Sequence, residues 1–361
     1  MRKLLLICTA FIPFGLLAQP RDAEGSYSLE AENFYQQATQ AHDAGDLETA
    51  AAFYAESIWA DSTHLKALYN LALVQYEMGQ YGKAELTLEK LLKATPWDTD
   101  AYELYGLALY QRGQYDRAIA SFSAAMKTSA PARLLTDRGL AFSASGQYRA
   151  ALLDFDDALR MEPDNVIACS AKGATLSKLG QYRLAMDWFD QALALQPNDV
   201  PSLINRATAR YEMGETAQAE NDFNLAIGYG GESEAYLARA RCRLVGGQPE
   251  AALQDVKKAM RLDASNPEVY YLLGETEMAK GEAAAAIESF TIALDFNPSC
   301  PDCYFGRGKA KVQNRQFYEA INDLYRVLEL DPLHQEAKAM LPEIYGLLDT
   351  ENMQWMAGKE R

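Results

Sequence analysis

Histidine is nearly missing from this chain: His42, His64 and His334 are the three in 361 residues. Their places suggest no serine–histidine–acid or cysteine–histidine set. No Gly-rich loop sits between a strand and a helix to cradle phosphate. Carboxylate pairs such as Asp156-Asp157 are adjacent and diverge on a helix. The sequence thus predicts no enzyme, no cofactor and no metal. Positive charge is also short, with 34 Lys and Arg against 50 Asp and Glu, a formal −16. That balance disfavours nucleic acid and anionic membrane surfaces and tolerates cationic partners. Apolar runs are absent beyond Leu4 to Leu17, so no later membrane span is expected.

What is there is a period. Alanine recurs at Ala50, Ala84, Ala118, Ala151, Ala185, Ala219, Ala252, Ala286 and Ala320, every 33 or 34 residues. Twelve residues before each stands Ala38, Ala72, Gly106, Gly139, Gly173, Ala207, Ala240, Gly274 or Gly308. Four after each comes Tyr54, Leu88, Phe122, Phe155, Phe189, Phe223, Val256, Phe290 or Leu324. Small side chains twice per period imply two closely packed helices, and steps of three and four keep the apolar residues on one face. Gly45, Gly79, Gly113, Gly146, Gly180, Gly214, Gly247 and Gly281 follow the first helix, and only Arg315 breaks that series. Pro96, Pro163, Pro197, Pro298 and Pro332 close second helices. Each unit reads helix, tight turn, helix, short loop.

The pattern is similar to the tetratricopeptide repeat family, most cleanly from Val166 to Asp199, through Gly173, Leu176, Gly180, Tyr182, Ala185, Phe189, Ala192 and Pro197. The resemblance implies an all-α, right-handed superhelical solenoid, read here as one continuous elongated domain. Its nine repeats span 31–64, 65–98, 99–131, 132–165, 166–199, 200–232, 233–266, 267–300 and 301–334. Residues 335–348 read as a capping helix that Pro342 kinks or shortens, and 349–361 as a tail packed in part.

The N-terminus reads separately. Arg2 and Lys3 precede the apolar run, and no acid appears before Asp22. Residues 1–18 are expected to be a secretory signal peptide cleaved after Ala18, with 19–30 a short linker and helix start. The Ala18-Gln19 junction resembles export signals of Bacteroidetes-type bacteria. Cleavage removes two basic residues from the formal −16 and leaves −18. The expected home is the periplasm or exterior of a Gram-negative cell, with no stable membrane insertion after cleavage.

Two cysteines, Cys169 and Cys242, read as small buried apolar residues. Cys300-Pro-Asp-Cys303 straddles the loop into the ninth repeat. It reads as a local disulfide or free thiols ahead of a redox pair, with zinc further behind. His64 and His334 fall in inter-repeat loops and read as solvent-exposed.

In the family, positions 2, 5, 9, 12 and 13 of each repeat line a concave groove. Carried onto this sequence, those positions give Tyr35, Tyr69, Leu73, Tyr76, Leu107 and Tyr110 early, and Tyr211, Tyr271 and Phe305 late, with Ile204, Leu237 and Leu244 among them. Between them lie Thr136, Ser143, Ala144, Ser170, Ala174 and Ser177, a smoother polar stretch. Lys66 and Asn70 stand at positions 2 and 6, so the family's two-carboxylate clamp for acidic peptide tails is not matched. The resemblance therefore implies a non-enzymatic scaffold that binds partner proteins or peptides in its groove. Two alternatives remain: a redox- or metal-dependent accessory protein using Cys300 and Cys303, and an envelope glycan binder using the aromatic groove. The sequence sets no oligomeric state.

Overall fold

The computed structural model describes residues 27–127 and 129–359, with side chains described as far as 348 except at 232. The expected signal peptide and most of the linker lie outside the described residues. Nineteen α-helices and no strand occur among the described residues.

The chain divides into two compact units, up to Asn205 and from Arg206. In the first, helices pair as hairpins: α1 (Leu29–Asp43) with α2 (Leu47–Ala60), α3 (Leu65–Glu77) with α4 (Tyr81–Ala94), α5 (Thr99–Gln111) with α6 (Tyr115–Ala125), α7 (Ala132–Ala144) with α8 (Tyr148–Met161), and α9 (Val166–Lys178) with α10 (Tyr182–Leu195). The unit boundary falls inside α11 (Val200–Glu212). The second unit continues with α12 (Thr216–Gly228), α13 (Glu232–Val245), α14 (Pro249–Leu262), α15 (Pro267–Ala279), α16 (Ala283–Phe296), α17 (Pro301–Gln313), α18 (Phe317–Leu330) and α19 (Gln335–Lys359).

The recurring alanines are buried in both units, as are the bulky residues four positions on. The small residue of each first helix lies under that bulky side chain. A Cβ added at Gly106, Gly139 or Gly173 would sit 2.6, 2.6 or 2.7 Å from the ring of Phe122, Phe155 or Phe189. Gly274 stands likewise 2.8 Å from Phe290. At these four positions a phenylalanine ring fills the space a methyl group would take, whereas the sixth repeat pairs Ala207 with Phe223. Where the partner is Leu324, the added Cβ at Gly308 would meet it at an ordinary 3.5 Å. At the intra-hairpin turn Gly180 takes φ +76°, a left-handed conformation that lets the first helix end and the chain reverse. Arg315 takes the same turn with φ 61°.

A second, charged pin joins the two helices of four hairpins. Arg138 grips Asp154 with two bonds of 2.8 Å, and the same fork holds Asp222 by Arg206, Asp255 by Arg239 and Asp323 by Arg307. Each pair is 16 residues apart. Three of the carboxylates take another cation at 2.7 Å, from Arg210, Arg243 or Lys311. In the fifth hairpin Lys172 instead lies 3.6 Å from the Trp188 ring centroid at the same two positions.

The last helix differs from expectation. It runs unbroken through Pro342 to Lys359 rather than ending near 348. Proline at its eighth residue removes one backbone hydrogen bond at a cost of about 3 kcal/mol. Burial of Ala337, Leu341, Ile344 and Leu348 against Leu324 and Val327 opposes that cost.

Candidate partner-binding faces

Each first helix starts with the same device except α7, which follows Pro131, and α13, which follows Gly231. The residue before it turns its side chain back onto a backbone N–H of the first turn: His64 accepts from Ala67, Asp98 from Ala101, Asn165 from Ala168, Asp199 from Ser202, Asn266 from Glu268 and Cys300 from Cys303. His334 caps α19 in the same way, accepting from Ala337 at 3.2 Å. This corrects the reading of His64 as an exposed loop residue. It is wholly buried, with its ring 3.8 Å from that of Tyr27 and 4.9 Å from that of Tyr35. Burial lowers its pKa, opposed by Glu32 and Asp61. The signal was in the sequence, since both histidines occupy the cap position filled elsewhere by Asp and Asn.

In the first unit Tyr35, Leu73, Tyr76 and Tyr110 are half-buried on α1, α3 and α5. Asn70 donates to the hydroxyls of Tyr35 and Tyr54 at 3.1 and 3.3 Å. Gln111 donates to Tyr76 at 3.5 Å, and the Tyr110 ring tilts against Tyr115 at 5.5 Å. His42 meets Glu77 at 2.8 Å, and that hydrogen bond raises the histidine pKa against desolvation.

Two expected contact residues are core instead. Tyr69 is 1% exposed, packed with Ala101 and Leu104, and its hydroxyl has no hydrogen-bond partner. Leu107 is buried beside Leu134 and Ala141. The neighbouring repeat covers both. The polar stretch is also interior: Thr136, Ser143, Ser170 and Ser177 are buried, Thr136 donating to the carbonyl of Ala132 and Ser143 bonding Thr175 at 2.9 Å. Asp137 lies beside them, its carboxyl pushed up to about 7 by burial and drawn down by Arg133. Lys178 is pushed down to about 8 by burial.

In the second unit Tyr211, Leu244, Tyr271 and Phe305 are half-buried, whereas Leu237 is buried; Ile204, at the end of the first unit, is buried too. The Tyr211 hydroxyl lies over Gly246, where a Cβ would approach it to 2.8 Å. Tyr271 leans on Phe290 at 5.9 Å between ring centroids. Phe305 packs against His334 at 4.7 Å, with the Lys309 ammonium 5.1 Å from its ring centroid. Arg241 is paired with Glu268.

Cys300 and Cys303 are joined by a disulfide at the start of α17, and the Cys303 end packs on Ala293 and Leu294 beside Tyr271. Cys169 and Cys242 are free, and burial raises both thiols, Cys169 to about 11 and Cys242 to about 12. Among the described residues no group of three or more His, Cys, Asp or Glu is placed to hold a metal ion, and no helix is long and apolar enough to cross a membrane.

The tetratricopeptide repeat family model matches residues 69–132, 136–200, 204–267, 243–302 and 271–335. The chain belongs to the tetratricopeptide repeat family. Solved structures of similar fold include a tetratricopeptide repeat protein from Parabacteroides merdae, 21% identical, with 68% of this chain and 98% of that one covered at a TM-score of 0.63. The Cut9-Hcn1 hetero-tetramer of the APC/C matches at 16% identity, covering 92% and 73%, with a TM-score of 0.56. Yeast Tom70 matches at 16% identity, covering 90% and 82%, with a TM-score of 0.54. At these identities the likeness shows the fold alone. No curated protein matches the chain. Membership of the tetratricopeptide repeat family supports a protein–protein interaction scaffold.

Proposed function

We propose that this protein is a non-enzymatic scaffold, exported to the cell envelope, that holds segments of partner proteins on the faces lined by its first helices. The observation that carries the reading is the set of half-buried aromatic residues on those helices: Tyr35, Tyr76 and Tyr110 in one unit, Tyr211, Tyr271 and Phe305 in the other. Each has a ring anchored by packing and an edge left to solvent, which suits capture of an extended or helical segment. The chain's negative charge speaks against nucleic acid as the partner.

Affinity capture from native envelope extract tests this. The comparison is between wild type and a Tyr35→Ala, Tyr76→Ala, Tyr110→Ala, Tyr271→Ala variant of unchanged helical circular dichroism. A specific protein held by wild type and lost by the variant is expected. Identical captures would overturn the role given to these aromatic faces.

A further inference from the structure

Most polar heads on the first helices are taken up by one another. Asn70 holds Tyr35, Glu77 holds His42, Gln111 holds Tyr76, Arg133 holds Glu103 and Arg241 holds Glu268. Repeats eight and nine depart from this. Among the described residues, the Tyr271 hydroxyl, the Glu275 carboxylate and the Asp302 carboxylate make no hydrogen bond or ion pair, and none of the three is sealed from solvent. They stand at repeat positions 5, 9 and 2. Tyr271 and Glu275 lie one turn apart on the same face of α15, and α15 packs beside α17, whose first turn carries Asp302.

The ground beneath them is rigid. Tyr271 leans on Phe290, whose ring is clasped between Gly274 and Gly306. Asp302 sits within the turn closed by the Cys300–Cys303 disulfide. Lys309, the one cation acting on Glu275, lies over the Phe305 ring. Arg241 and Glu268 also act on Tyr271 but are paired with each other, so Glu275 and Asp302 against Lys309 leave the patch negative, with aromatic surface alongside.

We propose that this patch receives an arginine from an extended segment of the partner protein. The guanidinium lies between Glu275 and Asp302 against the Tyr271 ring, and the Tyr271 hydroxyl donates to a carbonyl of the bound segment. Arginine fits better than lysine because its planar fork bridges two carboxylates and stacks on an aromatic face. The proposal rests on the scaffold reading above and names the chemistry of its partner.

The test is a displayed library of random dodecapeptides panned against the full-length chain, followed by fluorescence anisotropy of the winning synthetic peptide. The expected pool carries arginine at one fixed position. Glu275→Gln and Asp302→Asn should each weaken the winning peptide by roughly tenfold, as expected for losing a hydrogen bond to a charged group. Replacing the peptide's arginine by citrulline should do the same on the wild-type chain, which keeps the result independent of how any variant folds. Binding should also weaken as salt rises. Winners with no basic position, unaffected by Glu275→Gln but lost on Tyr271→Ala, would overturn the arginine site and leave the scaffold reading standing. A pool with no binders, or binders blind to every first-helix substitution, would overturn both.

Discussion

A single methyl group should act oppositely at Gly173 and Gly308, though both hold the same repeat position. At Gly173 the new Cβ falls 2.7 Å from the Phe189 ring, whereas at Gly308 it meets Leu324 at 3.5 Å. Gly173→Ala is expected to cost about 1–3 kcal/mol through overpacking. Gly308→Ala should be neutral or stabilise by up to about 1 kcal/mol, because glycine inside a helix is entropically costly. Chemical denaturation of the two variants decides it, and equal shifts would refute the ring-contact account. His64 makes a second residue-scale prediction. Buried between Tyr27 and Tyr35, it prefers to be neutral and its pKa is lowered. Its contribution is intact above the unfolded value of about 6.5 and lost as pH falls below it. His42 has the opposite sign, its raised pKa giving stability that fades as pH rises through the folded value. His64→Asn, which keeps an N-cap, should therefore lose less thermal stability than wild type between pH 7.5 and pH 5. A parallel pH profile for the two proteins would count against it.

Helix pairs are where charge enters the stability of this fold. Asp255 is 2% exposed and takes bonds from Arg239 at 2.9 and 2.6 Å and from Arg243 at 2.7 Å. Asp255→Ala leaves Arg239 with Asn224 and Arg243 with Glu220 but removes the buried charge both share, and is expected to cost about 3–5 kcal/mol. Replacing Arg239, Arg243 and Asp255 together by leucine should recover most of that loss, since the full set must be desolvated and an apolar triplet need not. Urea midpoints of the two variants test this, and a triple variant as weak as the single one would contradict it. The 33- to 34-residue spacing made the hairpins legible, because small and bulky residues recur in every repeat. The 16-residue Arg–Asp spacing was equally present but occurs in four repeats, so it did not stand out from a charged surface. Tyr69, Ser170 and Ser177 were illegible as core, because what buries them is the bulk of the adjoining repeat. The length of α19 was hidden by Pro342, whose local cost was weighed without the apolar face that opposes it.

At the scale of the molecule, periodicity showed stacked pairs of helices and the resemblance implied the family, whereas the partner followed from neither. Of the aromatic and aliphatic residues expected on the binding face, Tyr69, Leu107, Ile204 and Leu237 turned out to be core. The free polar heads of Glu275 and Asp302 emerged only once every neighbour's hydrogen bonds were placed. Export makes its own prediction: protein recovered from the native envelope should have a mass lacking residues 1–18 and an N-terminus at Gln19. Retention of Met1 would refute cleavage. The Arg–Asp pins carry one more consequence, for ancestry. Each begins and ends inside one hairpin, so an exchange joining any point of repeat seven to the matching point of repeat nine leaves an arginine facing an aspartate, as Arg239 faces Asp255 and Arg307 faces Asp323 now. Such a chain can shed or gain whole repeats by unequal recombination without splitting a pin, so its length is free to drift while the two helices of each hairpin stay fastened.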